Sequence, residues 1–137
     1  MSYDLDFWKY KPGVSLDHQT TYERLSAGEF VNGLEDLPIQ TMVERLSQVL
    51  SDWERLDENT WESARGIIQV CTTRQLFRVD CSHGMETDDL NKIIEVAAEF
   101  ECPLYDPQVG QRYDGTELPE PQLLPGIRLT VHATHAP

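Results

Sequence analysis

Residues 66–81 read GIIQVCTTRQLFRVDC, and this stretch decides the fold class of the chain. It holds two runs rich in β-branched and aromatic residues, Gly66–Thr72 and Gln75–Cys81, with only a few residues around Thr73 between them. Runs of this composition favour β-strands, and so short a connection joins antiparallel neighbours. The connection lacks the Asn-Gly or Asp-Gly pair of the tightest hairpins. We therefore predict an antiparallel β-hairpin at the centre of the chain.

An amphipathic helix is predicted on each side of this hairpin. In residues 38–56, apolar side chains recur at spacings of three and four, which is the pattern of a helix with one buried face. This stripe consists of Ile39, Met42, Val43, Leu46, Val49, Leu50, Trp53 and Leu56. The second helix is predicted from about Thr87 to Phe100, with Thr87 as its N-cap and Pro103 beyond its end.

Further strands are predicted on both sides of these elements. Residues 3–10 (YDLDFWKY) alternate between two faces and stop at the turn Lys11-Pro12-Gly13, which predicts a first strand. Cys102–Tyr105 fits a short final strand, and Trp61 fits a short strand just upstream of the hairpin. A short helix is also predicted around Thr20–Leu25.

The predicted order is strand, helix, strand, strand, helix, strand. This order favours an α+β fold, with an antiparallel sheet and two helices packed on one face. A ferredoxin-like split βαβ arrangement is the best interpretation. We expect a single domain of this kind over residues 1–115. Residues 116–137 are predicted to be a Pro-rich linker or tail, in which Ile127–Val131 could add an edge strand.

The charge of the chain restricts its partners. It carries 24 Asp and Glu residues against 11 Lys and Arg residues among 137, a formal net charge of −13. Nucleic acids and anionic membranes carry the same sign, so a folded domain of this charge is repelled by both. It is attracted to basic protein surfaces instead. We therefore expect a basic protein partner, with no nucleic acid and no membrane.

The sequence also indicates a cytoplasmic protein. No stretch approaches the roughly 18 consecutive apolar residues of a membrane span. The opening residues are acidic where a secretory signal would be basic. Three cysteines at wide spacing, Cys71, Cys81 and Cys102, do not form a disulfide framework. We expect reduced, mostly buried thiols.

Motifs that would indicate an enzyme are few. The sequence contains no phosphate-binding loop and no dinucleotide-binding glycine pattern, so neither an enzymatic activity nor a cofactor is predicted. Structural zinc sites supply their ligands in close pairs, and the single close pair here is Cys81 and His83. Residues two apart on a strand share a face, so a small enzyme or ligand-binding domain with a pocket near Cys81 and His83 is the alternative interpretation.

Protein binding is better supported than catalysis. Aromatic side chains supply buried area at interfaces, and carboxylates steer a basic partner towards them. Trp53 lies on the apolar stripe of residues 38–56 and is expected in the core. Trp8 and Trp61 lie off that pattern and are expected at the surface, among acids in predicted loops. The predicted partner-binding residues are Trp8, Glu35, Asp36, Asp57, Glu58, Trp61 and Glu62.

Two segments, residues 1–10 (MSYDLDFWKY) and residues 102–108 (CPLYDPQ), resemble small bacterial immunity proteins of polymorphic and contact-dependent growth inhibition toxin systems. The resemblance covers residues 1–115. It implies a cytosolic protein that binds one cognate toxin domain and blocks or distorts its active site. Many such toxins are nucleases with basic active sites, which an acidic inhibitor could occupy as a phosphate mimic. Because these proteins share little sequence, the resemblance assigns no binding residue here. An adaptor domain for another basic protein has the same sequence properties.

Overall fold

The computed structural model describes residues 2–82, 84–107 and 110–113 of the chain. The predicted tail, residues 116–137 with the edge strand Ile127–Val131, lies outside the described residues, as does His83. No helix within the described ranges is long and apolar enough to cross a membrane.

The described residues form three helices and seven strands. The helices are α1 (His18–Ser26), α2 (Ile39–Val49) and α3 (Thr87–Glu99). The strands are β1 (Ser2–Phe7), β2 (Glu54–Asp57), β3 (Thr60–Ser63), β4 (Gly66–Thr72), β5 (Phe77–Ser82), β6 (Leu104–Asp106) and β7 (Gln111–Tyr113). The predicted hairpin is therefore confirmed as β4 and β5, with the described strand β5 beginning at Phe77.

The strands form one antiparallel sheet in the order β2-β3-β4-β5-β1-β6-β7. The predicted α+β class with an antiparallel sheet is confirmed. Helices α1 and α2 lie in the connection from β1 to β2, and α3 lies between β5 and β6. The sheet has seven strands, whereas the predicted order of six elements contains four. The ferredoxin-like arrangement stays a prediction.

The main core lies between one face of the sheet and helices α2 and α3. Alternate strand residues such as Phe7, Ile68 and Val79 point to this face, because neighbours in the ladder share a face. Met42 and Leu46 of α2 pack into the same cluster. The α3 contribution consists of Leu90, Ile93, Ile94, Val96 and Ala97. The two predicted amphipathic helices thus share one core.

A second, smaller core lies around α1. It contains Trp8 and Tyr105, together with Leu25, Val31, Leu34 and Leu76. Tyr105 is the ladder partner of Asp6, whose side chain points away from the main core face. Helix α1 therefore covers the opposite side of the sheet near β1 and β6, a layer that the sequence pattern did not predict.

Helix α2 is shorter than predicted. It ends at Val49, and residues 54–57 form the edge strand β2 instead of its last turn. Trp53 is buried, as expected, but from the loop between the two elements. Leu56 is 50% exposed rather than on a buried stripe. Antiparallel pairing of β2 with β3 overrides the helical periodicity of these residues.

Candidate partner-binding surface

The expected surface position of Trp8 is wrong. Its side chain is 0% exposed and its ring centroid lies 5.0 Å from that of Tyr105 in the second core. The guanidinium of Arg112 donates a hydrogen bond of 2.6 Å to the Trp8 carbonyl oxygen. Trp8 lies off the main apolar pattern because it packs into a different core, against α1. In this conformation it stabilises the fold and offers no contact to a partner.

The expected exposure of Trp61 is wrong as well. Trp61 is 1% exposed and packs in the main core from β3. The guanidinium of Arg55 lies over its ring, 5.2 Å from the centroid, and closes the core on the side of β2. The neighbouring residue Glu62 is exposed on the other face. A strand of four residues gave too short a pattern to show which face was buried.

Glu35 and Asp36 lie together at a shallow groove of about 340 Å³ between the start of α2 and the end of α3. The groove has an apolar floor and an acidic rim, made of Lys9, Glu35, Asp36, Leu37, Pro38, Glu99, Phe100 and Glu101. Its carboxylates already have cations from the same chain. Lys9 Nζ lies 2.7 Å from Glu101 and 3.8 Å from Glu35.

The remaining two carboxylates of the groove are paired in the same way. Arg74 donates two hydrogen bonds to Asp36, of 2.7 and 3.1 Å, and Arg45 donates two to Glu99. The hydrogen bond from Arg74 holds the pKa of Asp36 below its usual value. A basic partner would have to displace these side chains to reach the carboxylates of the groove.

Asp57, Glu58 and Glu62 lie on the β2–β3 hairpin, and all three are exposed. Asp57 Oδ1 accepts a hydrogen bond of 2.8 Å from the backbone N–H of Asn59, so this carboxylate shapes the turn. The Glu58 and Glu62 carboxylates have no ion pair within the part of the chain that the structure describes. This hairpin therefore presents negative charge directly to solvent.

The structure does not bring all the predicted residues to one place. The hairpin forms one edge of the sheet, and Glu35 lies beside the chain that continues β1, where its N–H donates to the Lys9 carbonyl oxygen. Strands β4 and β5 separate β3 from β1. At about 4.8 Å per strand, β3 and β1 are about 14 Å apart.

A further acidic surface, which the sequence reading missed, continues from Glu62 across the sheet. We call it the open face and define it by Asp4, Glu54, Thr60, Glu62, Ile67, Gln69 and Asp80. Ladder pairing places Glu54, Glu62 and Ile67 side by side in one row across β2, β3 and β4. The next row contains Thr60, Gln69, Asp80 and Asp4, across β3, β4, β5 and β1.

None of the described helices covers the open face. Ile67 at its centre is 42% exposed, whereas Ile68 beside it is fully buried on the opposite face. The alternation in GIIQVCT, with Ile67 and Gln69 set against Ile68 and Val70, was the signal that could have revealed this surface. Both isoleucines look like core residues in the sequence, and only the register distinguishes them.

Asp80 and Asp4 form a carboxyl pair on the open face, directly opposite each other on β5 and β1. Burial, and then the hydrogen bond and charge of Asp4, raise the pKa of Asp80 to about 7. The thiol of Cys71 lies 3.7 Å from Asp80 Oδ2, and burial raises the pKa of this thiol. At neutral pH, Asp80 is therefore poised between its neutral and its charged form.

Most of the cationic side chains in the described part of the chain are held in intramolecular ion pairs. Seven basic residues have a carboxylate oxygen within 4.0 Å, namely Lys9, Arg24, Arg45, Arg55, Arg65, Arg74 and Arg78. Arg78 is the cation nearest the open face in the ladder, and it binds the buried Asp6 at 2.6 Å. The excess negative charge of the protein is therefore left on surfaces such as the open face.

The alternative pocket near Cys81 and His83 gains no support from Cys81. Its thiol is fully buried in the main core, and burial raises its pKa far above the free value. A nucleophilic cysteine needs the opposite shift, because the thiolate is the reactive form. His83 lies outside the described residues. Over the ranges that the structure describes, no three His, Cys, Asp or Glu side chains are grouped to hold a metal ion.

The chain was compared with models of known protein families and with curated proteins. Neither comparison finds a match.

Proposed function

We propose that this protein is an acidic immunity protein of the bacterial cytoplasm. It neutralises a cognate toxin domain with a basic surface by binding it directly, without chemistry of its own. The observation that carries this proposal is that some surface carboxylates are paired with cations of the same chain and others are not. Seven cationic side chains are held by carboxylates of the same chain, whereas Glu54, Glu58 and Glu62 lie exposed without an ion pair among the described residues.

This distribution suits fast recognition of a basic protein. Unpaired surface carboxylates create a negative potential that steers a basic partner and raises the association rate, to about 10⁸–10⁹ M⁻¹s⁻¹ at low salt. The same potential opposes binding to nucleic acid. Rapid capture suits an inhibitor that must act before a toxin does.

The experiment uses the gene next to the one that encodes this chain, because an immunity gene directly follows its toxin gene. We expect the neighbouring product to be basic in its toxic domain and to stop growth when it is expressed alone. Co-expression of this protein should restore growth, and the two purified proteins should form a stoichiometric complex that weakens at high salt. A matched toxin domain from an unrelated system serves as the control and should stay toxic.

The proposal is wrong if co-expression leaves the neighbouring toxin fully active and no complex forms even at low salt. A complex whose association rate is slow and independent of salt would remove the steering argument while leaving direct inhibition in place.

A further inference from the structure

The open face combines an exposed apolar residue with two carboxylate pairs. Ile67 lies on β4, at the middle of the face. Glu54 and Glu62 face each other across β2 and β3 on one side, and Asp80 and Asp4 face each other across β5 and β1 on the other. The apolar residue therefore lies on the strand between the two carboxylate pairs.

Glu54 and Glu62 repel each other when ionised, whereas Asp4 and Asp80 share a hydrogen bond, and their full repulsion appears only when Asp80 also ionises. Like charges directly opposite each other on neighbouring strands repel, whereas opposite charges would attract. Arg78 relieves this repulsion only in part: its charge favours the ionised form of Asp80, but its guanidinium donates to Asp6 and to the Ser26 hydroxyl, both at 2.6 Å. A guanidinium or ammonium group arriving from outside would form charge-assisted hydrogen bonds with either pair.

We infer that the open face is the surface that binds the basic partner, and that it accepts an extended segment with Arg or Lys on either side of an apolar residue. This inference rests on the proposed function, and it specifies where and how the partner binds. Charge complementarity selects the occupant, because a second copy of this chain would bring the same negative charge to the interface.

The spacing of the pairs favours an extended segment. The centres of the two pairs are three strand spacings apart across the sheet and two residues apart along it, or about 16 Å. Residues i and i+4 of a β-strand are about 14 Å apart and share a face with residue i+2, and long Arg or Lys side chains span the remaining distance. A segment of the pattern basic-x-apolar-x-basic, laid across the strands, therefore places two cations on the carboxylate pairs and its apolar side chain near Ile67.

The groove around Glu35 and Asp36 is the competing surface. Its carboxylates differ from those of the open face because they form ion pairs within the chain. Lys9 already lies 2.7 Å from Glu101 and 3.8 Å from Glu35, and Arg74 lies 2.7 Å from Asp36. An incoming cation gains nothing at the groove until it displaces one of these side chains. The open face needs no such exchange.

Two binding measurements test the inference. The first uses a synthetic peptide of three Arg-Thr-Leu-Thr repeats as the probe and follows backbone amide shifts of the whole protein by NMR at low salt. We expect the largest shifts at Glu62, Ile67 and Asp80, and none from a peptide with Glu in place of Arg. Shifts centred on Lys9 and Glu101, or no shift on the open face at millimolar peptide, would overturn the inference.

The second measurement compares variants in the complex with the neighbouring toxin. The double variants Glu54→Gln/Glu62→Gln and Asp4→Asn/Asp80→Asn each remove two carboxylates from the open face. We expect each to raise Kd about tenfold at low salt, since charge pairs of this kind contribute on the order of 1.4 kcal/mol. The matched control Glu35→Gln/Asp36→Asn removes two carboxylates from the groove and should change Kd less than about twofold.

The two measurements separate the surface from the function. If the control loses affinity and the open-face variants keep it, the toxin binds elsewhere and the inference is overturned, although the proposed function stands. If the neighbouring product is not a toxin, the proposed function fails, and the peptide shifts alone decide whether the open face binds basic segments. Circular dichroism melting curves should show all variants folded, because the substituted side chains are not in either core.

Discussion

Lys9, which follows β1, and Glu101, which follows α3, form an ion pair at the groove, with Lys9 Nζ 2.7 Å from Glu101 Oε1. Glu101 makes this contact from left-handed backbone, at φ 63°, directly after α3. The N–H groups of Glu101 and Cys102 donate to the Ala98 and Ala97 carbonyl oxygens. This is the Schellman ending of a helix, in which glycine is the usual residue at the left-handed position. The protein has a charged side chain there instead.

The first prediction compares glycine with alanine at Glu101. Both substitutions remove the ion pair with Lys9, but only glycine adopts positive φ without steric cost. We expect Glu101→Gly to be more stable than Glu101→Ala by about 1 kcal/mol, measured by urea denaturation. Equal stability of the two variants would show that the backbone at this position carries no strain.

The second prediction concerns Asp89, which is buried at the start of α3. Its carboxylate accepts hydrogen bonds of 2.8 and 3.1 Å from Arg65 and one of 3.2 Å from the Glu86 N–H. Asp89→Ala should lower the free energy of unfolding by about 2 kcal/mol, because it removes the acceptor of a helix-capping N–H and one of the two carboxylates that hold Arg65, Asp52 being the other.

Asp88 provides the matched control, since it is exposed in the same helical turn. Its interaction with the helix dipole is worth about 0.5 kcal/mol, so Asp88→Ala should have little effect. If the two alanine variants unfold at the same urea concentration, the buried pair does not stabilise the start of α3.

The third prediction is a rise in stability as pH falls from neutral. Burial raises the pKa of Asp6 to about 6, although Arg78 partly opposes the shift, and the pKa of Asp80 is raised to about 7. The folded protein holds these protons more tightly than the unfolded chain does. Stability from both groups is therefore full below about pH 4 and decreases as pH rises towards 7.

Differential scanning fluorimetry at about pH 5 and about pH 7.5 tests this prediction, and the melting temperature should be higher at the lower pH. The groups around Asp80 are Asp4, Asp6, Arg78 and Cys71. Asp80→Asn should flatten the dependence. Glu58→Gln removes one exposed charge as a control and should leave the slope unchanged, so equal slopes in both variants would contradict the assignment to Asp80.

Carboxylates whose pKa is lowered stabilise the folded protein in their ionised form. Their contribution to stability decreases as pH falls, but only at lower pH. Hydrogen bonds from Thr20 lower the pKa of Asp17, and the hydrogen bond from Arg74 lowers that of Asp36. Their stabilisation is lost only as pH falls below the usual aspartate value of about 4. They therefore do not cancel the trend between pH 5 and neutrality.

The fourth prediction separates a core tryptophan from an interface tryptophan. Trp61→Ala should lower the free energy of unfolding by about 4 kcal/mol, because it opens a large cavity in the main core. Trp61→Phe should stay folded and bind the toxin of the proposed function, the product of the neighbouring gene, with unchanged Kd. A large loss of affinity in a folded Trp61→Phe protein, measured by calorimetry, would instead place Trp61 in the interface.

Residues 66–72, together with the short strand around Trp61, were predictable because their composition and spacing are local properties. The same holds for α3, although its N-cap is Glu86 rather than the predicted Thr87. Residues 54–57 continue a helical period in the sequence and form a strand in the protein. Local periodicity could not reveal this strand, because pairing with β3 is an interaction between segments.

The candidate site also has features that the sequence predicted and features that only the tertiary structure shows. Charge alone pointed to a basic partner and to exposed acids in loops, and Asp57, Glu58 and Glu62 are exposed as expected. The exposure of Trp8 and Trp61 was predicted wrongly, since Trp8 packs in the second core and Trp61 enters the main core from a strand too short to show its buried face. Ile67 and Asp80 could be placed on the open face only from the register of β4 and β5.

The amino-acid sequence by itself determined the α+β class, the central hairpin and the net charge of −13, because these follow from residue types and their spacing. Tertiary structure alone decided which carboxylates have a cation and which part of the second face of the sheet α1 leaves uncovered. Ion pairs such as Arg78 with Asp6, 72 residues apart, depend on how distant segments pack. Register then places alternate side chains on opposite faces, so a shift of one residue would have exposed Ile68 and buried Ile67.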